Sequence, residues 1–216
     1  ALGDESNIEA IADHIEKHIG PVDKVFHELV SDLVHIDIHI VAPTKERNFY
    51  TLVTSGMSDK AMNAPDAQWQ FAELMMCLPS GWPLEQNALD NEDNYWPIRW
   101  LKMMARLPHE YDTWLGFGHT VPNGDPPAPF ASNTEFCCML VLPPPIYTPK
   151  EFHRLETENG KILNFYALIP LYKEEMNLKM RQGTEALFDG FDKHGVSEVV
   201  NLSRNNIARK GRWFFG

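Results

Sequence analysis

Apolar and polar positions follow two different periods along this chain, and the change from one to the other marks out its elements. Ile8, Ile11, Ala12, Ile15 and Ile19 recur at helical spacing behind Ser6 and Glu9, the serine and glutamate of a capping box. His18, Gly20 and Pro21 supply the stop, so an amphipathic helix is expected within residues 1–21. Residues 22–33 suit either a helix or a strand. Residues 34–41, VHIDIHIV, do not: Ile36, Ile38 and Ile40 fall on one face and His35, Asp37 and His39 on the other, the alternation of a half-buried strand. If 24–30 forms the strand before it, Ser31 and Asp32 sit at a hairpin turn, and His27 and Glu28 lie across from or near the polar face.

The apolar run 49–53 reads as the partner strand of 34–41, with Gly56 relieving the backbone at its end and Ser55, Ser58 and Asp59 as turn residues. Residues 70–78, QFAELMMCL, read as a strand stopped by Pro79, Gly81 and Pro83, and a carboxylate buried at Glu73 would need a partner. After an acidic loop at 87–94, a helix is expected over 95–107. Pro97 falls in its first turn, Ile98, Leu101, Met104 and Ala105 share one face, and Pro108 closes it.

The stretch 113–145 reads as strand, polar loop, strand. Residues 114–118 form the first run, and 136–142 form a continuous apolar second run, buried on both faces and ended by Pro143, Pro144 and Pro145. The intervening loop carries His119, Thr120, Asn123, Asp125 and Asn133, held where binding residues often sit. Its GFGHTV lacks the third glycine of a dinucleotide fingerprint and has no βαβ unit around it. Asn159 and Gly160 turn a hairpin into the strand 161–169, which Pro170 stops. Helices are expected over 172–181 and 184–191, the second capped by Thr184. The tail 196–216 is locally basic, which suggests docking against the domain or a loose end.

Charge narrows the chemistry. Lys and Arg number 19 against 30 Asp and Glu, a net of −11, which repels phosphate backbones and anionic lipid and favours basic partners. No apolar run approaches a membrane span, and no signal core opens the chain, which begins on Ala1. Of the cysteines, Cys137 and Cys138 are adjacent, pointing to opposite faces of a strand; they offer neither a ready disulfide nor a zinc corner, so a reducing, cytoplasmic setting is expected. Neither a repeat nor a long linker divides the 216 residues, which read as one domain.

Two groups of residues are candidates for chemistry. His35, Asp37 and His39, spaced by about 7 Å along one strand face, with His27 as recruit, have the residue types of a metal or acid/base site. The same pattern is what any half-exposed strand shows, and metal geometry needs ligands from a second element, so no metal is assigned. His119, at the junction of strand and loop, reads first as a histidine bonded to loop backbone. No serine or cysteine nucleophile motif accompanies either group.

FYTLVTSGMSD at 49–59, ELMMCLP at 73–79 with Trp82, Trp96–Pro97, GHTVPNG at 118–124 and FYALIPLYKEEM at 165–176 occur in this order, and with them the chain resembles the suppressor of fused family, its compact bacterial members in particular. The resemblance implies an α/β fold of α+β type: a single domain with a mixed, largely antiparallel central sheet flanked by helices. It implies binding without chemistry, and for bacterial members an immunity protein that neutralises a toxin. The chain is too short for both lobes of the animal protein, so no partner-binding residue is carried over. The function expected is a non-enzymatic protein-binding module with a protein partner, a basic toxin being the candidate, and no cofactor, nucleic acid or membrane. Binding candidates are His27, Glu28, His35, Asp37, His39, His119, Thr120, Asn123 and Asp125. The alternative is a ligand- or metal-binding protein or enzyme using His27, His35, Asp37 and His119. A structural subunit of a larger assembly is the third possibility, and the oligomeric state is open.

Overall fold

A computed structural model describes residues 3–28, 33–145 and 147–209. Helix α1, Glu5–His18, lays Ile11 and Ile15 into the core. Its cap is Asp4 rather than Ser6: Asp4 Oδ1 accepts the Asn7 N–H at 3.3 Å and the Ser6 hydroxyl at 2.8 Å, so Ser6 donates to the cap instead of forming it.

Eight strands follow: β1 Val22–Phe26, β2 Asp37–Val41, β3 Phe49–Ser55, β4 Phe71–Pro79, β5 Thr120–Pro122, β6 Cys138–Leu142, β7 Arg154–Glu156 and β8 Ile162–Leu171. They form one mixed sheet in the order β1-β2-β3-β4-β8-β6-β5, with β7 also on β8. Only β4 and β8 run parallel; every other pair is antiparallel. The alternation of a strand is visible along β4, where Leu74, Met76 and Leu78 enter one apolar layer and Met75 and Cys77 the other. The first layer is covered by Trp96, Trp100, Leu101 and Met104 of α2, Glu92–Glu110. The second is covered by α1 and by Leu187 and Phe191 of α4, Glu185–His194, which follows α3, Lys173–Gln182. Helices on both faces explain why β6 is apolar along its length: Met139 and Val141 enter one layer, Cys138 and Leu140 the other.

β8 changes partners on both edges. β4 pairs with it from Phe71↔Leu163 only to Met75↔Ala167. On the opposite edge β7 holds Ile162 to Asn164 and β6 holds Ala167 to Leu171. β8 therefore runs through Pro170, where the sequence predicts a stop. The Pro170 carbonyl accepts from Arg204 Nη2 at 3.0 Å, so the backbone of this residue faces the edge that β4 has left, where a missing N–H interrupts no ladder.

Other expectations are corrected. Residues 114–118 are not a strand: the Trp114 ring packs over Gly116 and stacks on Trp69 at 5.7 Å, and only Gly118 and His119 reach the Val141 backbone, just before β5. Helix α2 starts earlier than 95, capped by Asn91, and continues past Pro108 to Glu110. Thr184 stands at the N-cap of α4 but its side chain makes no capping bond. The expected turn at Ser31 and Asp32 lies outside the described residues, as do Lys210, Arg212 and the aromatic residues at the end of the tail. Gly56 is required where the sequence places it: its φ is +106°, and a Cβ there would stand 1.8 Å from the His35 carbonyl oxygen. Among the described residues no helix is long and apolar enough to cross a membrane.

Candidate functional site

The polar face of β2 is buried, not half-exposed. Asp37 and His39 are 3% and 2% exposed, because α1 crosses this side of the sheet and the chain leading into it passes over His35 at Gly3. The candidates at the exit of β1 and the entry of β2 come together around the buried Asp37 carboxylate, with His27 at the solvent surface. His27 Nδ1 lies 2.9 Å from Asp37 Oδ2 and His35 Nε2 lies 3.0 Å from Oδ1, which also accepts the Glu28 N–H at 2.9 Å. Glu28 in turn accepts the Ile36 N–H at 3.0 Å and pairs with Arg106 of α2. Burial pulls the Lys102 amine of the same helix below its ordinary pKa, against the attraction of Glu28. The cluster thus ties the exit of β1, the entry of β2 and α2 into one network.

His39 stands apart from this network. Its Nε2 lies 2.9 Å from Ser55 Oγ, the pairing of a nucleophile with its base. Both are sealed, Ser55 at 0% exposure, so no substrate reaches the hydroxyl. Burial lowers the His39 pKa, opposed by nearby Asp37, which keeps the ring neutral at pH 7. Among the described residues no group of three or more His, Cys, Asp or Glu side chains is arranged to hold a metal ion. Both Asp37 oxygens already face ring nitrogens at hydrogen-bond distance.

The loop candidates are elsewhere. β2 and β5 stand five spacings apart in the strand order, roughly 24 Å, so His119 does not join His27, His35 and Asp37. His119 packs edge-on against Trp114 at 4.4 Å, and burial lowers its pKa. Thr120 Oγ1 receives Lys179 Nζ at 3.4 Å. Asn123 closes the loop, its Nδ2 donating to the carbonyls of Ala128 and Pro129 at 2.8 and 3.0 Å. Asp125 is exposed and precedes a cis proline. Exposed apolar side chains stand beside the loop: Phe117 is 55% exposed and stacks on Phe188 of α4, and Met180 of α3, beside Thr120, is 68% exposed. β5 ends the strand order, so its outer edge has no strand neighbour among the described residues.

Two buried carboxylates complete the polar interior. Glu73, fully buried on β4, accepts Thr54 Oγ1 and Ser58 Oγ at 2.6 Å each and the N–H groups of Gly56 and Ser58 at 3.0 Å. Burial raises its pKa from 4.5 to about 7 against the pull of those donors. The sequence shows its need of a partner but not that the partners are the turn residues Ser58 and Gly56. Glu175 on α3 holds Arg204, whose Nη1 and Nη2 both approach at 2.6 Å while the guanidinium lies over the rings of Phe136 and Tyr172. The described part of the tail is therefore docked. The sequence offers only its basic charge as a signal, since Glu175 precedes Arg204 by 29 residues.

The family model for the suppressor of fused protein matches residues 32–205. A search of curated proteins finds no match. Among solved structures, the chain is similar to a protein described as a suppressor of fused homolog from Neisseria gonorrhoeae FA 1090, at 20% identity and TM-score 0.66, over 95% of this chain and 98% of that one. It is similar to a chain of the Sufu–Fu complex at 16% identity and TM-score 0.65, over 94% and 92%. Against Drosophila Suppressor of Fused the values are 15% and 0.63, over 96% of this chain and 54% of that chain. The overall fold is shared with these structures, and with the family model spanning most of its length the chain belongs to the suppressor of fused family.

Proposed function

We propose that this protein is a non-enzymatic protein-binding module, and specifically a bacterial, cytoplasmic immunity protein that neutralises a basic toxin by covering it. The observation that carries the reading is the outer side of β5, an open strand edge flanked by the exposed Phe117 and Met180. An unpaired strand edge offers backbone hydrogen bonds to a partner, and exposed apolar side chains beside it supply anchoring. His119 and Thr120 adjoin this edge, while His27, Glu28, His35, Asp37 and His39 serve the fold. The solved Sufu–Fu complex supports protein binding as the use of this architecture. The net charge of −11 would speed encounter with a basic partner, and the free cysteines Cys77, Cys137 and Cys138 suit a reducing compartment.

Coexpression with toxins encoded beside the gene tests this directly. Rescue of growth by the wild-type chain, and its loss in a Phe117→Asp/Met180→Asp variant that still folds, is the expected outcome. Failure against every neighbouring toxin would overturn the immunity reading.

A further inference from the structure

Where β8 exchanges partners, the sheet leaves a groove of about 410 Å³. Its floor is Ala167 and Ile169, on the face of β8 that enters the second apolar layer. One wall is the proline run after β6, and the other is Phe188 and Phe191 of α4 with Val196 beyond it. The opening has local causes. β4 stops pairing at Ala167, the prolines carry the chain out of the ladder after Leu142, and the small Ala167 fills little of the space between. The charged side chains of the lining are the exposed Asp192 and the half-buried Glu198, both acidic. No ion pair involves either residue among the described side chains.

We infer that this groove is a docking site for a short extended segment of a protein partner, one that places an aliphatic or aromatic side chain on Ala167 with Lys or Arg beside it. The apolar floor gives the anchor a place to leave water, and Asp192 and Glu198 select the basic flank. The proline wall lacks N–H groups to be left unpaired beneath a bound chain. An acidic or uncharged apolar segment gains the floor but not the rim, and the field of a chain at −11 opposes the acidic one. The site rests on the protein-binding reading but is separate from the edge of β5.

The test is selection of random twelve-residue peptides on the wild-type protein, followed by binding of the enriched peptides to wild type and to Asp192→Lys/Glu198→Lys. Asp192 is exposed and Glu198 half-buried, and unchanged circular dichroism and melting check that the variant folds. Enriched peptides are expected to pair Lys or Arg with an apolar residue within two positions, to shift the amide resonances of Ala167, Ile169 and Phe191, and to bind the variant at least tenfold more weakly. Enrichment of peptides without basic residues, binding equal in the two proteins, resonance shifts elsewhere, or no enrichment at all would overturn the inference. The growth assay separates it from the wider reading. A toxin still neutralised by the rim variant leaves the β5 surface standing without the groove, and a peptide-binding groove without any rescued toxin leaves the groove standing without the immunity role.

Discussion

Glu73 makes the stability of this fold depend on pH in a direction opposite to that of its buried histidines. Its carboxyl is fully buried, and its partners among the described residues are the hydroxyls and N–H groups of Thr54, Gly56 and Ser58. Desolvation moves its pKa from 4.5 to about 7. An acid with a raised pKa binds its proton more tightly folded than unfolded. Its contribution to stability is therefore fully present below pH 4.5 and is lost as pH rises through 7. At about 1.4 kcal/mol per pH unit, that interval corresponds to roughly 3 kcal/mol. His14, His39 and His109 act with the other sign: burial lowers their pKa values, so they remove stability as the pH falls below that of a free histidine. A wild-type pH profile alone mixes the two effects. Comparison with Glu73→Gln separates them, since the histidines are common to both proteins. Urea unfolding at pH 5, 6, 7 and 8 should show wild type losing about 2–3 kcal/mol more than the variant across the range, whatever offset the amide introduces among donors arranged for a carboxylate. A difference between the two proteins that stays constant from pH 5 to 8 would refute the reasoning.

Gly56→Ala should cost more than the roughly 2 kcal/mol of a left-handed residue, because its Cβ meets the His35 carbonyl at 1.8 Å; a fall in melting temperature or loss of soluble protein is the readout. Arg204→Met leaves Glu175 buried without its partner and should destabilise by about 3–5 kcal/mol, whereas Arg204→Met/Glu175→Met should recover a large part of that loss in chemical unfolding. Asp37→Ala strands His27, His35 and the Glu28 N–H together and should cost about 1–3 kcal/mol in chemical unfolding. Partner association should slow markedly between 20 and 300 mM salt if the net charge of −11 steers it; a salt-independent rate would remove steering from the account.

Strands β2, β3, β6 and β8 are legible in the sequence as alternating or continuous apolar runs, β4 is less so because its run also contains helix formers, and the Asn159–Gly160 turn gives the β7–β8 pairing directly. What the sequence hides is what lies across from each residue. His35, Asp37 and His39 read as a solvent face because alternation reports that one side is polar, not that α1 covers it. The aromatic run 114–118 has the composition of a strand, but ring packing between Trp69 and Trp114 holds it as a loop. Arg204 looks like one more charge in a basic tail until α3 supplies Glu175. The candidate residues divide accordingly. The β1–β2 set converges on Asp37 because β1 and β2 are neighbours, and the loop set stays remote because three further strands lie between β2 and the pair formed by β6 and β5.

The position of β8 also sets the order in which the chain can finish folding as it is synthesised. Strands β1 to β4 form an antiparallel meander, and β5 with β6 forms a separate ladder. The parallel pairing of β4 to β8 and the antiparallel pairing of β6 to β8 join the two, so neither half has its central neighbour before residues 162–171 emerge. A nascent chain short of that point carries two apolar strands, β4 and β6, each without the β8 neighbour on one edge, which is the condition under which holding chaperones are recruited and strands from different chains pair in error. Truncation just before residue 162 should therefore yield aggregation in place of a smaller folded domain.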